Sequence, residues 1–102
     1  MDATQLILTP HELQAVQHVL RARVPDHQAL AFGSRVQTSQ PGRACKKHSD
    51  LDIALTGPNL ALHDMFALRD AFSDSDLPFR VDVVMRGDLP EKWLDSMVWA
   101  QI

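Results

Sequence analysis

The sequence contains a single cysteine, Cys45, so no disulfide can form within the chain. This shortage excludes the disulfide-stapled secreted class and favours a reducing compartment. The first residues lack the basic start and long apolar centre of a signal peptide. No apolar stretch approaches the roughly 20 residues of a membrane-spanning helix. We therefore expect a cytoplasmic protein with no membrane contact.

The chain also lacks an excess of positive charge, with 10 Lys and Arg against 13 Asp and Glu and a formal net charge of −3. This balance gives no general reason to bind nucleic acid directly. One stretch differs from the average: between His27 and Ser49 there is no acidic residue. The basic residues of that stretch are Arg35, Arg43, Lys46 and Lys47.

Neither internal repeats nor low-complexity segments are present, and 102 residues with 45% hydrophobic content indicate a single globular domain over residues 1–102. Thr9-Pro10 with Glu12 is typical of a helix start, and we expect Asn59 to cap a second helix. Apolar residues at helical spacing are Leu13, Val16, Leu20 and Val24, then Ala61, Met65, Leu68 and Phe72, then Trp93, Leu94, Met97 and Val98. With strand patterns at 30–32, 51–55 and 79–85, the order predicts an α/β (α+β) fold, a small mixed sheet of about three to five strands with helices packed on it.

Two aspartates alternate with apolar residues along the second strand pattern, Ser49 to Leu55. Successive strand side chains point to opposite faces, so Asp50 and Asp52 share one face, roughly 7 Å apart along the backbone. Solvated carboxylates on a polar strand are the plain alternative, although aspartate is a poor strand former. Two carboxylates at this spacing repel each other unless a cation lies between them, and oxygen ligands suit a divalent cation.

The preceding strand pattern, Leu30 to Phe32, ends at Gly33-Ser34. A strand that runs into Gly-Ser can direct backbone N–H groups and a hydroxyl toward a phosphate. Gly33 also fits the role of an ordinary turn glycine, and the two roles are compatible. A phosphate-binding turn followed by a metal-binding carboxylate pair indicates a site for a nucleotide polyphosphate.

Gly33-Ser34 followed by Asp50-Leu51-Asp52 resembles the Gly-Ser…Asp-x-Asp signature of the nucleotidyltransferase superfamily related to DNA polymerase beta. The short chain looks most like the minimal, single-domain bacterial members. That family has a third carboxylate on a later strand, and Asp82 within 80–84 matches it. The resemblance covers about residues 28–85, and the connection at 36–48 is several residues longer than the family's usual spacing.

The resemblance implies a nucleotidyltransferase fold and a transfer of a nucleoside monophosphate, AMP from ATP, to a hydroxyl group. It implies that Asp50, Asp52 and Asp82 are catalytic and hold two Mg²⁺ ions with the triphosphate. Asp82 would orient or deprotonate the acceptor hydroxyl. Gly33, Ser34 and Arg35 would bind nucleotide, Ser34 through the β- or γ-phosphate. Minimal members pair with a small helical HEPN protein, act as its antitoxin and resemble enzymes that transfer AMP to a tyrosine of that toxin.

Several alternatives stay open at this point. The chain is an enzyme that modifies a protein partner, a non-catalytic partner-binding module with a relict nucleotide site, or an enzyme that modifies a small-molecule hydroxyl. Arg35 fits a phosphate contact or an ordinary surface arginine, and the 36–48 loop fits a phosphate-side basic loop or a solvated insertion. Asp74 and Asp76 are interpreted as helix-end and loop carboxylates, while Trp93 and Trp99 are interpreted as packing residues or a partner surface.

Overall fold

The computed structural model describes residues 5–33, 36–37, 50–92 and 99–102. The predictions for Ser34, Arg35 and the residues of the 36–48 loop other than 36 and 37 therefore lie outside the described residues, as does the apolar pattern at 93–98. The elements in chain order are β1 (Gln5–Leu6), α1 (Pro10–Arg23), β2 (Gln28–Phe32), β3 (Val36–Gln37), β4 (Leu51–Thr56), α2 (Leu62–Ser73), β5 (Val81–Met85) and β6 (Ala100–Gln101).

The start of α1 is fixed by a capping box, as the sequence predicts. The Thr9 hydroxyl accepts a hydrogen bond from the Glu12 N–H at 3.1 Å, and the Glu12 carboxylate accepts one from the Thr9 N–H at 3.0 Å. These bonds satisfy N–H groups that have no partner inside the helix. Pro10 opens the helix and Pro25 follows its C-cap, Val24. The helix then buries Val16 and Leu20.

The start of α2 differs from its prediction. The residue at the N-cap is Ala61, which has no side-chain hydrogen bond to the helix, and Asn59 precedes the cap by two residues. A side chain caps only from the position directly before the first helical residue, so Asn59 is too early to serve. The predicted buried stripe is confirmed at Leu68 and Phe72, and Met65 is half-buried, but Ala61 is exposed because it lies at the cap and not within the helix.

The main sheet has four strands in the order β5-β4-β2-β6. The β4–β5 pair is parallel, whereas β2 is antiparallel to both β4 and β6. The mixed α/β fold predicted from the sequence is therefore confirmed. A separate two-stranded pair joins β1 to β3.

The helices and the sheet share one hydrophobic core. On the sheet, fully buried Ile53 and Val83 are register partners, and Ile53 also pairs with Ala31. The helices add their buried residues to the same cluster, which includes Val16, Leu20, Leu68, Phe72, Leu51 and Leu55. Because side chains alternate along a strand, Asp52 and Asp82 lie on the opposite face from Ile53 and Val83. Neither described helix is both long and apolar enough to cross a lipid bilayer.

Candidate active site

The structure brings Asp82 next to Asp52. Asp52 is the second residue of β4 and Asp82 the second residue of β5, and the two are direct register partners. Adjacent strands lie about 4.8 Å apart, so these side chains emerge as neighbours on one face. Asp50 directly precedes β4 and is placed on the same face by the strand alternation. Three carboxylates from two strands therefore gather at one end of the sheet.

The environment of Asp52 disfavours its charged form. Burial raises the pKa of this carboxyl above its ordinary value of 3.8, and the negative charges of Asp82 and Asp50 raise it further. None of the three carboxylates forms an ion pair with a described basic side chain; the described ion pair joins His63 and Asp64. The site thus carries negative charge that the described side chains do not neutralise.

This charge and the chemistry of the donors suit a hard divalent cation. Mg²⁺ prefers carboxylate oxygens, and a cation between the carboxylates would offset the repulsion that, after burial, raises the pKa of Asp52. Within the described ranges, no group of three or more His, Cys, Asp or Glu side chains is gathered closely enough to hold a metal ion. The three aspartates therefore fit such an ion by donor type, while their role as ligands stays a prediction.

Gly33 is packed directly against Asp52. It follows Phe32, the register partner of Asp52, and its φ of +83° lies in the left-handed region. A Cβ at this position would overlap Oδ2 of Asp52 and come within 3.4 Å of Cγ. Glycine is therefore required for both the backbone conformation and the close approach of the carboxylate. The sequence predicted the turn, whereas this contact depends on the pairing of β2 with β4.

Phe32, the register partner of Asp52, packs against an aromatic side chain on its other side. The ring of Trp99 lies 5.1 Å from that of Phe32, tilted by 53°, as expected for a packing residue. The guanidinium carbon of Arg86 lies 5.9 Å from the centre of the Trp99 ring. Sequence reasoning missed this cluster because the short strand β6, which places Trp99 beside β2, has too few residues to show a pattern.

Asp74 and Asp76 take the places predicted for them outside the site. Asp74 is the C-cap of α2, and Asp76 is exposed in the turn that follows. Both residues lie in the connection between α2 and β5 and not on a strand.

A cavity of about 490 Å³ lies beside Asp82. Arg69 and Arg80 belong to its wall, and sequence reasoning assigned no role to either residue. A signal was present for Arg80, which stands two residues before Asp82 and so shares its strand face. No comparable signal marks Arg69, because its position depends on how α2 packs against β5.

Comparison with known proteins supplies one informative relative. No protein-family model matches the chain. The "Probable protein adenylyltransferase MntA" of Haemophilus influenzae is 44% identical over 81 residues. The match covers 78% of this chain and 67% of the relative.

Proposed function

The chain belongs to the nucleotidyltransferase family, and from that membership we propose that it transfers AMP from ATP to a hydroxyl group of a protein. The observation that carries the proposal is the placement of Asp52 beside Asp82, with Gly33 against the Asp52 carboxylate. The name of the relative, a protein adenylyltransferase, supports AMP as the transferred group and a protein as the acceptor.

In the proposed reaction, the acceptor hydroxyl oxygen forms a bond to the α-phosphorus of ATP. The bond from that phosphorus to the oxygen bridging the β-phosphate breaks, and pyrophosphate leaves with the bonding electrons. Asp82 accepts the hydroxyl proton, since it is the exposed carboxylate at the outer strand of the sheet. The backbone at Gly33 approaches the phosphates, because no side chain stands between it and Asp52.

Asp50, Asp52 and Asp82 are the residues that we propose hold Mg²⁺. The ion, when bound, supplies positive charge to the triphosphate and lowers the pKa of the acceptor hydroxyl. The carboxylates fix where the ion would be held relative to the two strands. Ser34 and Arg35 complete the nucleotide-binding set in this proposal, on the strength of the family signature alone.

We further propose a helical HEPN-type partner as the acceptor, with this chain as the antitoxin of the pair. This proposal rests on the family resemblance of residues 28–85 and on the protein acceptor in the relative's name. The chain contains no tyrosine. Any tyrosine-linked AMP found after the reaction would therefore belong to the acceptor and could not arise from self-modification.

The test combines the purified chain, Mg²⁺ and ATP labelled in the α-phosphate with a lysate of the host. We expect a labelled protein band with the wild-type chain and loss of at least about 100-fold in label with Asp52→Asn, which removes a ligand charge at constant size. Asp26→Asn is the matched control, since Asp26 is exposed in the turn before β2. A labelled small molecule would contradict the protein acceptor, and equal labelling by wild type and Asp52→Asn would contradict the assigned site.

A further inference from the structure

The cavity beside Asp82 lies at the outer edge of the sheet. β5 is the terminal strand of the order β5-β4-β2-β6, and within the described residues no strand pairs with its outer edge. The cavity of about 490 Å³ lies between this edge and the C-terminal part of α2. Its volume falls within the range of about 300–1,000 Å³ typical of ligand pockets.

Arg69, Arg80 and Asp82 are the charged residues of the cavity lining. Arg69 extends from α2 and donates a hydrogen bond from Nη2 to the Val83 carbonyl at 3.1 Å, which holds its side chain against β5. Arg80 directly precedes β5, and its backbone carbonyl accepts from the Leu51 N–H at 2.9 Å. Among the described residues, neither arginine forms an ion pair with a carboxylate.

Part of the cavity lining is apolar, since it includes the buried residues Phe72 and Phe79. An arginine side chain beside an apolar surface is less hydrated than one in open water, and its planar fork matches a carboxylate or a phosphate. Asp82 also belongs to the lining, and a carboxylate can accept a hydrogen bond from a hydroxyl. The lining therefore suits a ligand that carries an acid and a hydroxyl close together.

Relative to the aspartates, the cavity lies on the side of the sheet opposite to the turn at Gly33, where we propose that the phosphates bind. Across the sheet, Gly33 at the end of β2 comes first, then Asp52 on β4, then Asp82 on β5, and then the cavity. In phosphoryl-group transfer the attacking and leaving oxygens are roughly in line. A donor whose leaving group lies on the Gly33 side is attacked from the side of the cavity.

We propose that this cavity binds the acceptor polypeptide and that Arg69 and Arg80 select acceptors with an acidic residue next to the modified hydroxyl. A polypeptide is the occupant because no described strand pairs with the outer edge of β5, where Arg69 already donates to the Val83 carbonyl. The hydroxyl points to Asp82, and the neighbouring carboxylate pairs with the guanidinium groups. The role of the bound polypeptide as acceptor rests on the proposed AMP transfer. The preference for an acidic polypeptide does not depend on ATP.

The first measurement is binding in the absence of nucleotide. Two fluorescent peptides are compared, each with one tyrosine, flanked on both sides by Glu in one and by Gln in the other. We expect the wild-type chain to bind the Glu peptide about five- to tenfold more tightly. Arg80→Gln should reduce that preference below about twofold, and higher salt should weaken it.

Arg69→Gln should act in the same direction, but the shorter Gln side chain also gives up the hydrogen bond to the Val83 carbonyl. If Arg69→Gln fails to fold, Arg80→Gln decides the test, because the Arg80 side chain makes no hydrogen bond among the described residues. The matched control is Arg23→Gln, an exposed arginine at the end of α1, which should keep the full preference. Equal binding of the two peptides by the wild type, or an unchanged preference in Arg80→Gln, would overturn the proposal.

A second measurement separates this inference from the proposed function. Both peptides are incubated with Mg²⁺ and ATP labelled in the α-phosphate, and labelled tyrosine is quantified. We expect kcat/KM to favour the Glu peptide by the same factor as binding does, with the factor lost in Arg80→Gln. A binding preference without any transfer to peptide or lysate protein would contradict AMP transfer and leave the cavity assignment standing. Transfer that is equal for the two peptides would overturn the role of the arginines alone.

Discussion

Asp52 occupies a position where its negative charge opposes folding. Its pKa is raised by burial and by the charges of Asp82 and Asp50, so the folded chain holds a proton at Asp52 more tightly than the unfolded chain does. The unfavourable contribution is full above the raised folded pKa. It fades as the pH falls through that pKa, and it is absent below the ordinary value of 3.8.

Asp52→Asn should therefore stabilise the chain at pH 7 in the presence of a chelator. We expect a gain of about 0.5–1 kcal/mol, the scale of partly screened charge interactions. Urea unfolding at pH 7 and again below the ordinary pKa measures it, and the gain should vanish at the lower pH. A loss of stability at pH 7, with Asp26→Asn unchanged, would show that the carboxylates do not repel one another in the folded chain.

Gly33→Ala should destabilise the chain by about 1–3 kcal/mol. The substitution places a side chain at a φ of +83° and drives Cβ into the Asp52 carboxylate. Gly87→Ala is the matched control, because nothing lies within 4 Å of a Cβ at that position. Denaturant midpoints of the two variants make the comparison, and an equal effect of both would place Gly33 away from Asp52.

At the scale of the elements, helix capping gives a direct comparison between prediction and structure. Ala61 has an extended backbone at the N-cap of α2, with ψ of 153°, but no side chain that bonds to the helix. Ala61→Asp should stabilise the chain by about 0.5–1 kcal/mol, and Thr9→Ala should cost about 1 kcal/mol. Asn59→Ala should be close to neutral. Thermal unfolding of the three variants tests this, and a cost for Asn59→Ala similar to that of Thr9→Ala would restore Asn59 as the cap.

Local sequence patterns predicted the structural features that depend only on residues close together in the chain. The capping box at Thr9 and the alternation around Asp52 are properties of a few consecutive residues, and both appear in the structure. The pairing of Asp52 with Asp82 was implied by the family resemblance, because cross-strand register joins residues that are far apart in sequence. The contact of Gly33 with Asp52, the placement of Trp99 on Phe32 and the cavity at Arg69 require tertiary packing, so periodicity could not reveal them.

At the scale of the whole molecule, one face of the sheet supplies the core and the other carries the aspartates. Buried Ile53 and Val83 join the residues of both helices, while Asp52 and Asp82 face away from them. The described helices therefore pack on the face opposite to the aspartates.

Nucleotide with Mg²⁺ should raise the melting temperature of the whole chain through binding to the folded state. At a concentration 100 times the dissociation constant, the added stability is about 2.7 kcal/mol. Asp52→Asn should lose most of this shift, and Asp26→Asn should keep it. Scanning calorimetry with Mg²⁺ alone, ATP alone and both together measures it, and an equal shift in the wild type and Asp52→Asn would separate ligand binding from the aspartates.

The position of the transferred label tests the central claim most directly. The wild-type chain is incubated with Mg²⁺, host lysate and ATP labelled either in the α-phosphate or in the γ-phosphate. Transfer of AMP moves the α-phosphate to the acceptor and releases the γ-phosphate within pyrophosphate. We therefore predict that the wild-type chain labels the acceptor protein with α-labelled ATP but not with γ-labelled ATP. Asp82→Asn should label no acceptor protein with either. Label from the γ-phosphate on the acceptor, or α-label on the acceptor at an equal level with Asp82→Asn, would contradict the account.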